Sequence, residues 1–341
     1  MYRITVASPG QVQVDEGLDL PQPGEGEALV KLLYGGICGT DLGTYRGTMA
    51  YTKYPCLPGH EFAVEVVSLP GDVAGLQVGM LATAVPYFNC GECYSCRRGL
   101  VNCCTSNKTM GVQREGAFSE FTAIPARRLV PATGLDPAEV AVVEPFCISW
   151  HGVARADVQP GERVLVVGAG TIGVFAGLAA KAKGARVYVS DVSAEKLRMA
   201  ERFGFDGYLR NDSPEAMAEQ VAQATGGDGF DVTVEAVGLA ATFLACIQAV
   251  AFGGRVVVIG VSKQNADFFF TDIQRKELAI FGSRNALRRD FEQVIAAVRG
   301  GGLDLKQVVT DTYPARQAPQ AFADFSADQG GKLKVLLDFT A

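Results

Sequence analysis

A glycine-rich hexapeptide, GAGTIG at residues 168–173, constrains the fold of this chain more than any other feature of its sequence. It follows an apolar stretch, RVLVV, and opens a helical one, IGVFAGLAAKAKG. In that arrangement the first glycine permits a tight turn, the second lets the backbone approach a pyrophosphate, and the third lets the helix pack on the strand. The helix N-terminus then offers unpaired N–H groups and the positive end of its dipole to the phosphates. The predicted dinucleotide contacts are Gly168, Gly170, Thr171, Ile172 and Gly173.

A carboxylate follows this loop at the distance where a ribose is bound. Asp191 ends the next apolar stretch, VYVS, about 20 residues after the glycines, as the dinucleotide motif requires. It would accept hydrogen bonds from the ribose hydroxyls and repel a 2′-phosphate, which predicts NAD rather than NADP. The alternative is that Asp191 only caps the helix of VSAEKL. We predict further cofactor contacts from Val237 and Ile259, in the later strands VTVEAVG and VVVIG.

Strand and helix patterns divide the chain into two domains. From about Val153, apolar strands such as VLVVGAG and VYVSD alternate with helical stretches such as SAEKLRMAERFG, which is typical of a parallel sheet covered by helices on both faces. The residues before it, and a last strand in GKLKVLLDF, form short strands bounded by turn residues. We expect an α/β chain: a mainly β domain of residues 1–150 and 285–341, and a doubly wound domain of residues 151–284.

The overall composition argues against several classes of protein. Of the 341 residues 48% are hydrophobic and 20% are charged, which is enough for sizeable cores. The net charge of −6 offers no basic surface to nucleic acid or an anionic membrane. No apolar run is long enough to span a bilayer, and the first residues, MYRITVASPG, lack the apolar segment of a secretory signal. We therefore expect a soluble cytoplasmic protein without nucleic-acid or membrane partners.

The cysteines cluster in a way that indicates a metal site. Five of them lie between positions 90 and 104, and disulfides are disfavoured in a reducing cytosol. The spacing C-x2-C-x2-C-x7-C lets four thiolates surround one ion, and four sulfurs satisfy a tetrahedral zinc. An iron–sulfur cluster uses similar ligands at other spacings. We predict a closed structural zinc site, with Cys103 as an alternative for the fourth ligand. The predicted ligands are Cys90, Cys93, Cys96 and Cys104.

Other residues are candidates for a second metal site, although each has a simpler explanation on its own. Cys38 lies in GGICGTD, His60 lies in PGHEF next to Glu61, and Glu144 lies in VVEPFCISWHG. A lone cysteine is often a small core residue, and a lone histidine is more often structural than a ligand. Spacing alone leaves this second site open.

Taken together, the motifs resemble the medium-chain zinc alcohol dehydrogenase superfamily. GxCGTD, GHE, the four-cysteine spacing and an EP dipeptide ahead of VLVVGAGxIG occur in its order and intervals over essentially the whole chain. The resemblance implies a GroES-like β domain beside a Rossmann domain, one catalytic and one structural zinc, and hydride transfer to NAD. Alcohol dehydrogenase itself has a Cys2His catalytic zinc. Glu144 stands where such enzymes carry the second cysteine, as in the polyol (sorbitol-type) and threonine dehydrogenase branches.

The resemblance also implies roles for individual residues around the catalytic zinc. Cys38 and His60 would bind the ion, and Glu61 or Glu144 would complete the protein ligands. Asp41 would accept the free N–H of the His60 ring and fix its tautomer. Zinc would act as a Lewis acid on the substrate oxygen.

Proton transfer would begin at Thr40, which matches a Ser/Thr of the superfamily that relays the alcohol proton. Many relatives carry a histidine at the position of Gly43 that passes this proton onward. Its absence leaves the second proton step open, with the cofactor ribose and water, or Glu61, as alternatives. His151 matches a histidine often found in polyol-type relatives, and it is either a base or a packing residue near the substrate.

Three segments resemble a subgroup that acts on polyols and sugar acids such as L-galactonate: PYFNCGECYSCRRGLVNCC, VVEPFCISWH and FGSRNALRRDF. In the last of them, Ser283, Arg284 and Asn285 are expected near the nicotinamide. There Arg284 would pair with a substrate carboxylate or remain a solvated arginine. The alternatives are a threonine-type amino-alcohol dehydrogenase and a catalytically silent protein that binds NAD and zinc. The resemblance further implies a homodimer or homotetramer.

Overall fold

A computed structural model describes residues 1–49 and 52–341. The strands within them are β1 (Arg3–Ser8), β2 (Gln11–Asp15), β3 (Glu27–Ile37), β4 (Glu61–Ser68), β5 (Leu81–Ala84), β6 (Tyr87–Phe88), β7 (Lys108–Thr109), β8 (Phe121–Pro125), β9 (Leu129–Pro131), β10 (Arg163–Val167), β11 (Arg186–Asp191), β12 (Gly207–Arg210), β13 (Phe230–Glu235), β14 (Val250–Val258), β15 (Ala279–Gly282), β16 (Val309–Pro314) and β17 (Lys334–Asp338).

The α-helices within the same residues are α1 (Gly39–Tyr45), α2 (Tyr94–Arg97), α3 (Pro137–Val140), α4 (Val143–Arg155), α5 (Thr171–Ala182), α6 (Ala194–Ala200), α7 (Pro214–Thr225), α8 (Ala240–Ala249), α9 (Thr271–Lys276), α10 (Arg288–Arg299) and α11 (Ala318–Ala327). In the described part of the chain, none of these helices has the length and apolar character needed to cross a membrane.

The chain divides into two compact units. The first unit comprises Met1–Glu144 and Leu287–Ala341, and the second comprises Pro145–Ala286. Both chain ends belong to the first unit because β17 pairs antiparallel with β3. The expected boundaries, at 150/151 and 284/285, lie a few residues away. Helix α4 continues without interruption through position 150, so no change of local structure marks the expected boundary there.

A seven-stranded sheet forms the framework of the first unit. Its order is β16-β17-β3-β4-β5-β9, and β8 also pairs with β3. Buried and half-buried residues alternate along the first half of β3, because successive side chains of a strand point to opposite faces. Phe62, Phe118 and Phe322 are among the large, fully buried side chains of the core. This unit is the predicted mainly β domain.

The second unit is built on a six-stranded parallel sheet in the order β12-β11-β10-β13-β14-β15. Counted from β10, this is the order 3-2-1-4-5-6 of a doubly wound dinucleotide-binding sheet. The central strand β10 is apolar after Arg163, and its last four residues are all buried, as expected for a strand covered on both faces. The predicted fold class, a mainly β domain together with a doubly wound α/β domain, is confirmed.

Candidate active site

The four cysteines of the C-x2-C-x2-C-x7-C motif converge in the first unit. The sulfurs of Cys90, Cys93, Cys96 and Cys104 all lie within 4.8 Å of one another, and within the described residues Cys103 is not part of this group. The Cys90 and Cys104 sulfurs are 3.6 Å apart. A tetrahedron of ~2.3 Å zinc–sulfur bonds requires about 3.8 Å. Strands β6 and β7 pair at the base of the loop and bring its two ends together.

Backbone N–H groups surround these sulfurs. The N–H of Cys93 donates to Cys90 Sγ at 3.4 Å. The N–H groups of Cys90 and Ser106 donate to Cys104 Sγ at 3.3 Å and 3.4 Å. Hydrogen bonds from neighbouring backbone groups, that of Cys96 first, lower the pKa of Cys93 to about 6. Burial instead raises the pKa of the Cys96 thiol to about 11. Zinc binds the thiolate form, so the N–H groups favour metal binding.

A second cluster joins Cys38, His60 and Glu61, whose candidate ligand atoms also lie within 4.8 Å of one another. Cys38 directly follows β3, and Glu61 begins β4, its antiparallel neighbour. Because neighbouring antiparallel strands end and begin at the same edge of a sheet, these residues meet there. His60 and Glu61 are buried. Thiolate, imidazole and carboxylate are the groups that bind zinc in catalytic sites.

Neighbouring anions favour the protonated form of His60. Burial lowers the pKa of His60, but Cys38 and Asp41 outweigh it and raise this pKa well above its usual value. Asp41 Oδ2 accepts the backbone N–H of Cys38 at 2.9 Å, which completes a capping box at the start of α1. Asp41 Oδ1 lies 4.0 Å from His60 Nδ1, too far for the predicted hydrogen bond between them. Within the described residues neither atom has a hydrogen-bond partner.

Glu61 is paired with a buried lysine that the sequence-based predictions did not include. Lys334 Nζ, in β17, donates to Glu61 Oε2 at 2.6 Å and to the Ile37 carbonyl at 3.3 Å. Both side chains of the pair are at most 4% exposed. Burial lowers the pKa of Lys334, but Glu61 and Cys38 raise it above its usual value. The one sequence feature that could have indicated this pair is that a lysine begins an apolar strand, KVLLD, near the C-terminal end of the chain.

Glu144 is buried near the same cluster and has a different partner. The hydroxyl of Tyr87, another residue absent from the sequence-based predictions, donates a short hydrogen bond to Glu144 Oε1. Burial raises the pKa of Glu144 to about 7; the charge of His60 opposes this shift and that of Glu61 adds to it. Within the described residues, the group whose candidate ligand atoms all lie within 4.8 Å of one another includes Glu61 and does not include Glu144.

Helix α1 carries the residues of the predicted proton relay. Thr40 lies in its first turn, and the N–H of Thr40 donates to Cys38 Sγ at 3.5 Å. Gly43 is buried against Met49: a Cβ built on Gly43 would lie 2.9 Å from Met49 Cγ. Met49 therefore fills the space beside Gly43, where a histidine side chain would have to begin.

The glycine loop connects β10 to α5 in the second unit. Gly170 is the N-cap of α5, and Thr171 and Ile172 begin the helix. Gly168 has a φ of +110°, and a Cβ built on Gly173 would lie 1.7 Å from the Gly168 carbonyl oxygen, so both positions require glycine. By contrast, apart from Gly170 itself, its two chain neighbours and the adjacent helix backbone, no atom of the described residues lies within 4 Å of a Cβ built on Gly170. This open space at a helix N-terminus is what a pyrophosphate needs.

Both carboxylate oxygens of Asp191 hold the backbone around this loop. Oδ2 accepts the N–H of Ala169 and Oδ1 accepts the N–H of Ser193, each at 2.8 Å. Ser193, and not Asp191, is the N-cap of α6, because its hydroxyl accepts the N–H of Lys196. Asp191 ends β11, the neighbour of β10, and is half-buried. An acceptor at this strand end is where a doubly wound domain binds a ribose.

Three more predicted cofactor residues follow the carboxyl ends of parallel strands: Val237 after β13, Ile259 after β14 and Ser283 after β15. A Cβ built on Gly168 would lie 2.5 Å from Val237 Cγ2, so Val237 borders the glycine loop. A Cβ built on Gly152 would lie 2.6 Å from Ile259 Cδ1 and 3.4 Å from Ser283 Oγ. These residues share the edge of the sheet at which open α/β domains bind ligands.

The last two predicted residues of this unit differ in exposure. His151, which directly precedes Gly152 in α4, is buried. Arg284 follows Ser283 and is exposed, and Asn285 has a left-handed φ of +51°. Burial of His151 agrees with packing, whereas Arg284 is exposed.

A doubly wound sheet with an open glycine loop, and a cluster of cysteine, histidine and glutamate side chains in the same chain, define a metal-dependent dehydrogenase. Residues 24–134 match the family model for the alcohol dehydrogenase GroES-like domain, and residues 171–299 match the model for zinc-binding dehydrogenases. The chain therefore belongs to the zinc-binding alcohol dehydrogenase family. The predictions that the chain belongs to this family and that it is an oxidoreductase that uses zinc and NAD are confirmed.

Individual relatives extend over nearly the whole chain. The protein is 37% identical over 297 residues to L-galactonate-5-dehydrogenase of Escherichia coli (strain K12), with 87% of each chain covered. It is 33% identical over 330 residues to L-threonine 3-dehydrogenase of Streptomyces avermitilis, with 95% of each covered. The crystal structure of a short chain alcohol dehydrogenase from E. coli CFT073, complexed with NADH, matches with a TM-score of 0.92 at 29% identity, over 99% of both chains.

Proposed function

We propose that this protein oxidises a secondary hydroxyl of a polyol or sugar acid and transfers the hydride to NAD in a zinc-dependent reaction. The observation that carries the proposal is the cluster of Cys38, His60 and Glu61, beside which Glu144 is also buried. A protein that used zinc only for structure would need the four-cysteine site and no second set of ligands. When bound, zinc supplies Lewis-acid chemistry to the substrate oxygen, and NAD accepts the hydride.

The donors of this cluster fit a catalytic zinc. Three protein ligands with mixed sulfur, nitrogen and oxygen donors leave a fourth position for substrate. His60 is buried and its Nδ1 faces Asp41 Oδ1 at 4.0 Å, so its other ring nitrogen, Nε2, would be the zinc ligand. We assign Cys38, His60 and Glu144 as the protein ligands. Glu61 lies nearer to the first two, but Lys334 already neutralises its charge, whereas the partner of Glu144 is a neutral tyrosine.

The second unit supplies the residues that would hold NAD. The pyrophosphate would lie at the open N-terminus of α5, beside Gly170, and the ribose hydroxyls would donate to Asp191. A 2′-phosphate would meet the negative charge of Asp191, so NAD is favoured over NADP. Val237, Ile259 and Ser283 would complete this site from the ends of the neighbouring strands.

The proton of the substrate hydroxyl would first pass to Thr40. Its onward route differs from that of relatives with a histidine at the position of Gly43, because Gly43 has no side chain and Met49 fills the adjacent space. When NAD is bound, its ribose together with water would offer an onward acceptor for the proton, and Glu61 is the alternative within this chain. His151 is buried, which favours a packing role over that of a base.

The relatives support a polyhydroxylated substrate. The one named L-galactonate-5-dehydrogenase shares 37% identity with this chain. Arg284, an exposed residue directly after Ser283, would pair with a substrate carboxylate, because guanidinium and carboxylate groups form two parallel hydrogen bonds. A second candidate is an amino-alcohol substrate, which the relative named L-threonine 3-dehydrogenase favours at 33% identity.

A substrate panel tests the proposal. NADH absorbance is followed with aldonates, alditols, aldoses, simple secondary alcohols and L-threonine, and each is repeated with NADP. We expect turnover of a polyhydroxylated substrate, with a sugar acid preferred and NAD faster than NADP. Turnover of threonine and of no sugar acid would instead support the amino-alcohol reaction. A protein that binds a single zinc and reduces NAD with none of these substrates would be the catalytically silent alternative.

We further propose that the two units are the functional domains, the first for the metals and the second for NAD. A homodimer or homotetramer is proposed from the resemblance to the superfamily. Sedimentation velocity at micromolar concentration checks it: a mass of two or four chains is expected, and a mass near the 36.1 kDa of one chain would contradict it.

A further inference from the structure

The hydroxyl of Tyr87 is the group that holds the Glu144 carboxylate in the first unit. Tyr87 is 5% exposed and Glu144 is 3% exposed, and the hydroxyl donates to Glu144 Oε1. We propose that Tyr87 is a positioning residue for the catalytic zinc, because it orients the Glu144 carboxylate as a ligand. The inference rests on the proposed function, since it assigns Glu144 to the metal.

A buried carboxylate needs such a partner. Glu144 lies in the first turn of α4, where its side chain has several rotatable bonds and no covalent constraint on the carboxylate plane. A hydrogen bond to Oε1 leaves Oε2 for another contact and fixes the plane in which it points. Hydrogen bonds of this kind orient metal ligands, and their removal typically lowers metal affinity or activity about 10- to 100-fold.

Tyr87 can position another group only if its own strand is fixed. Strand β6 pairs with β7, so that Tyr87 faces Thr109 in the ladder. The Tyr87 carbonyl accepts a short hydrogen bond from Arg128 Nη1. The next residue, Phe88, has two guanidinium groups over its ring: that of Arg114 at 3.6 Å and that of Arg128 at 3.9 Å from the centroid. Cation–π contacts and backbone pairing together restrain β6 from several sides.

The test compares two tyrosine-to-phenylalanine variants of the full chain loaded with zinc. Tyr87→Phe removes only the hydroxyl that reaches Glu144. Tyr313→Phe is the matched control, because the Tyr313 hydroxyl donates to another carboxylate, Asp324 Oδ2, at 2.9 Å in the same unit. Transfer of zinc to a coloured chelator is followed over time, so the readout does not depend on activity.

We expect one of the two zinc ions to leave Tyr87→Phe about 10- to 100-fold faster than it leaves the unaltered protein. The other zinc and both ions of Tyr313→Phe should leave at the unaltered rates. With cobalt in the exchangeable site, the visible absorption bands should shift in Tyr87→Phe and not in the control. Equal release rates and equal spectra for Tyr87→Phe and the unaltered protein would overturn the inference.

Folding and the proposed function are checked separately. Near-ultraviolet circular dichroism shows whether Tyr87→Phe folds. If it does not fold, Phe88→Leu replaces it, because this change loosens β6 and leaves the Tyr87 hydroxyl in place. Phe88→Leu should also hasten release of the exchangeable zinc, and an unchanged release rate would overturn the inference. A protein that binds one zinc and reduces no NAD refutes the proposed function. A protein that binds two and is active, with Tyr87→Phe unaffected, refutes only the role of Tyr87.

Discussion

At Asp191 a single carboxylate binds one backbone N–H from the glycine loop and one from the turn before α6, and remains half-buried at the end of β11. The side chain therefore shapes the dinucleotide loop before any ligand arrives. Its negative charge is also what would distinguish a ribose hydroxyl from a 2′-phosphate. One side chain thus holds the local structure and, in the proposed function, would also determine the choice of cofactor.

Replacing this carboxylate should weaken NAD binding and narrow the preference for NAD over NADP. For Asp191→Ala we expect kcat/KM with NAD to fall about 10-fold or more, because a hydrogen bond to a charged group contributes about 1.5–3 kcal/mol. Asp212→Ala, which alters an exposed carboxylate of the same unit, is the control and should match the unaltered protein. An unchanged ratio of NAD to NADP activity in Asp191→Ala would mean that the ribose is recognised elsewhere.

The buried ion pair of Lys334 and Glu61 is a second case in which single side chains matter, here for the stability of the first unit. Removal of one partner from a buried ion pair leaves the other charge uncompensated, which costs about 3–5 kcal/mol. We expect Lys334→Met to lower the free energy of unfolding of the first unit by that amount in urea titrations. Adding Glu61→Gln to Lys334→Met should recover much of the loss, because no buried charge then remains.

An exposed pair in the same unit provides the comparison. Lys306 and Asp136 are 2.7 Å apart but are 54% and 40% exposed, and solvent screening leaves such exposed pairs little effect on stability. Lys306→Met should therefore have little effect. If Lys334→Met were as mild as Lys306→Met, or if the double variant were no more stable than Lys334→Met alone, the buried pair would not have the strength assigned to it.

At the scale of elements, what the sequence predicts depends on how far apart the interacting residues lie. The glycine loop and the four cysteines are each local motifs, so both could be read from spacing. The second cluster takes its residues from the end of β3 and the start of β4, and only a family resemblance suggested that they meet. Lys334 lies 273 residues from Glu61, so no local pattern could pair them.

The sequence also could not predict which individual atoms contact one another in the site. The motif CGTD predicted a role for Asp41 towards His60, yet its other oxygen also forms the capping box that starts α1. Tyr87 was missed because a tyrosine in a two-residue strand has no pattern that marks it. The packing of Met49 against Gly43 likewise depends on the path of a loop, which spacing does not determine.

The cysteine loop is the element whose stability depends most on a metal. Cys93→Ser should lower the thermal midpoint of the zinc-loaded protein by roughly 10 °C, because loss of a structural zinc removes several kcal/mol and each corresponds to about 2–4 °C in a domain of this size. Cys93→Ser should affect kcat less than it affects stability. Cys103→Ser, which changes the neighbouring cysteine outside the group of four, is the control. Equal thermal midpoints for the two variants would contradict a metal at the four cysteines.

At the scale of the whole molecule, the proposed function would give each unit a different part of one reaction. The first has two groups of side chains that could hold a metal ion, and the second has the glycine loop with Asp191. Neither set performs a dehydrogenation alone, since one supplies no hydride acceptor and the other no Lewis acid. The proposed reaction therefore requires that activity depend on zinc at the catalytic site. The zinc at the four cysteines should instead preserve the fold.

Controlled removal of zinc tests this requirement. The protein is incubated with a chelator, and samples taken over time are divided for zinc content, circular dichroism and NADH formation with the best polyhydroxylated substrate. We predict that activity falls in proportion to the loss of the first of two zinc ions, that the fold is retained, and that added zinc restores the rate. Full activity after the exchangeable zinc has left would contradict a zinc-dependent dehydrogenase.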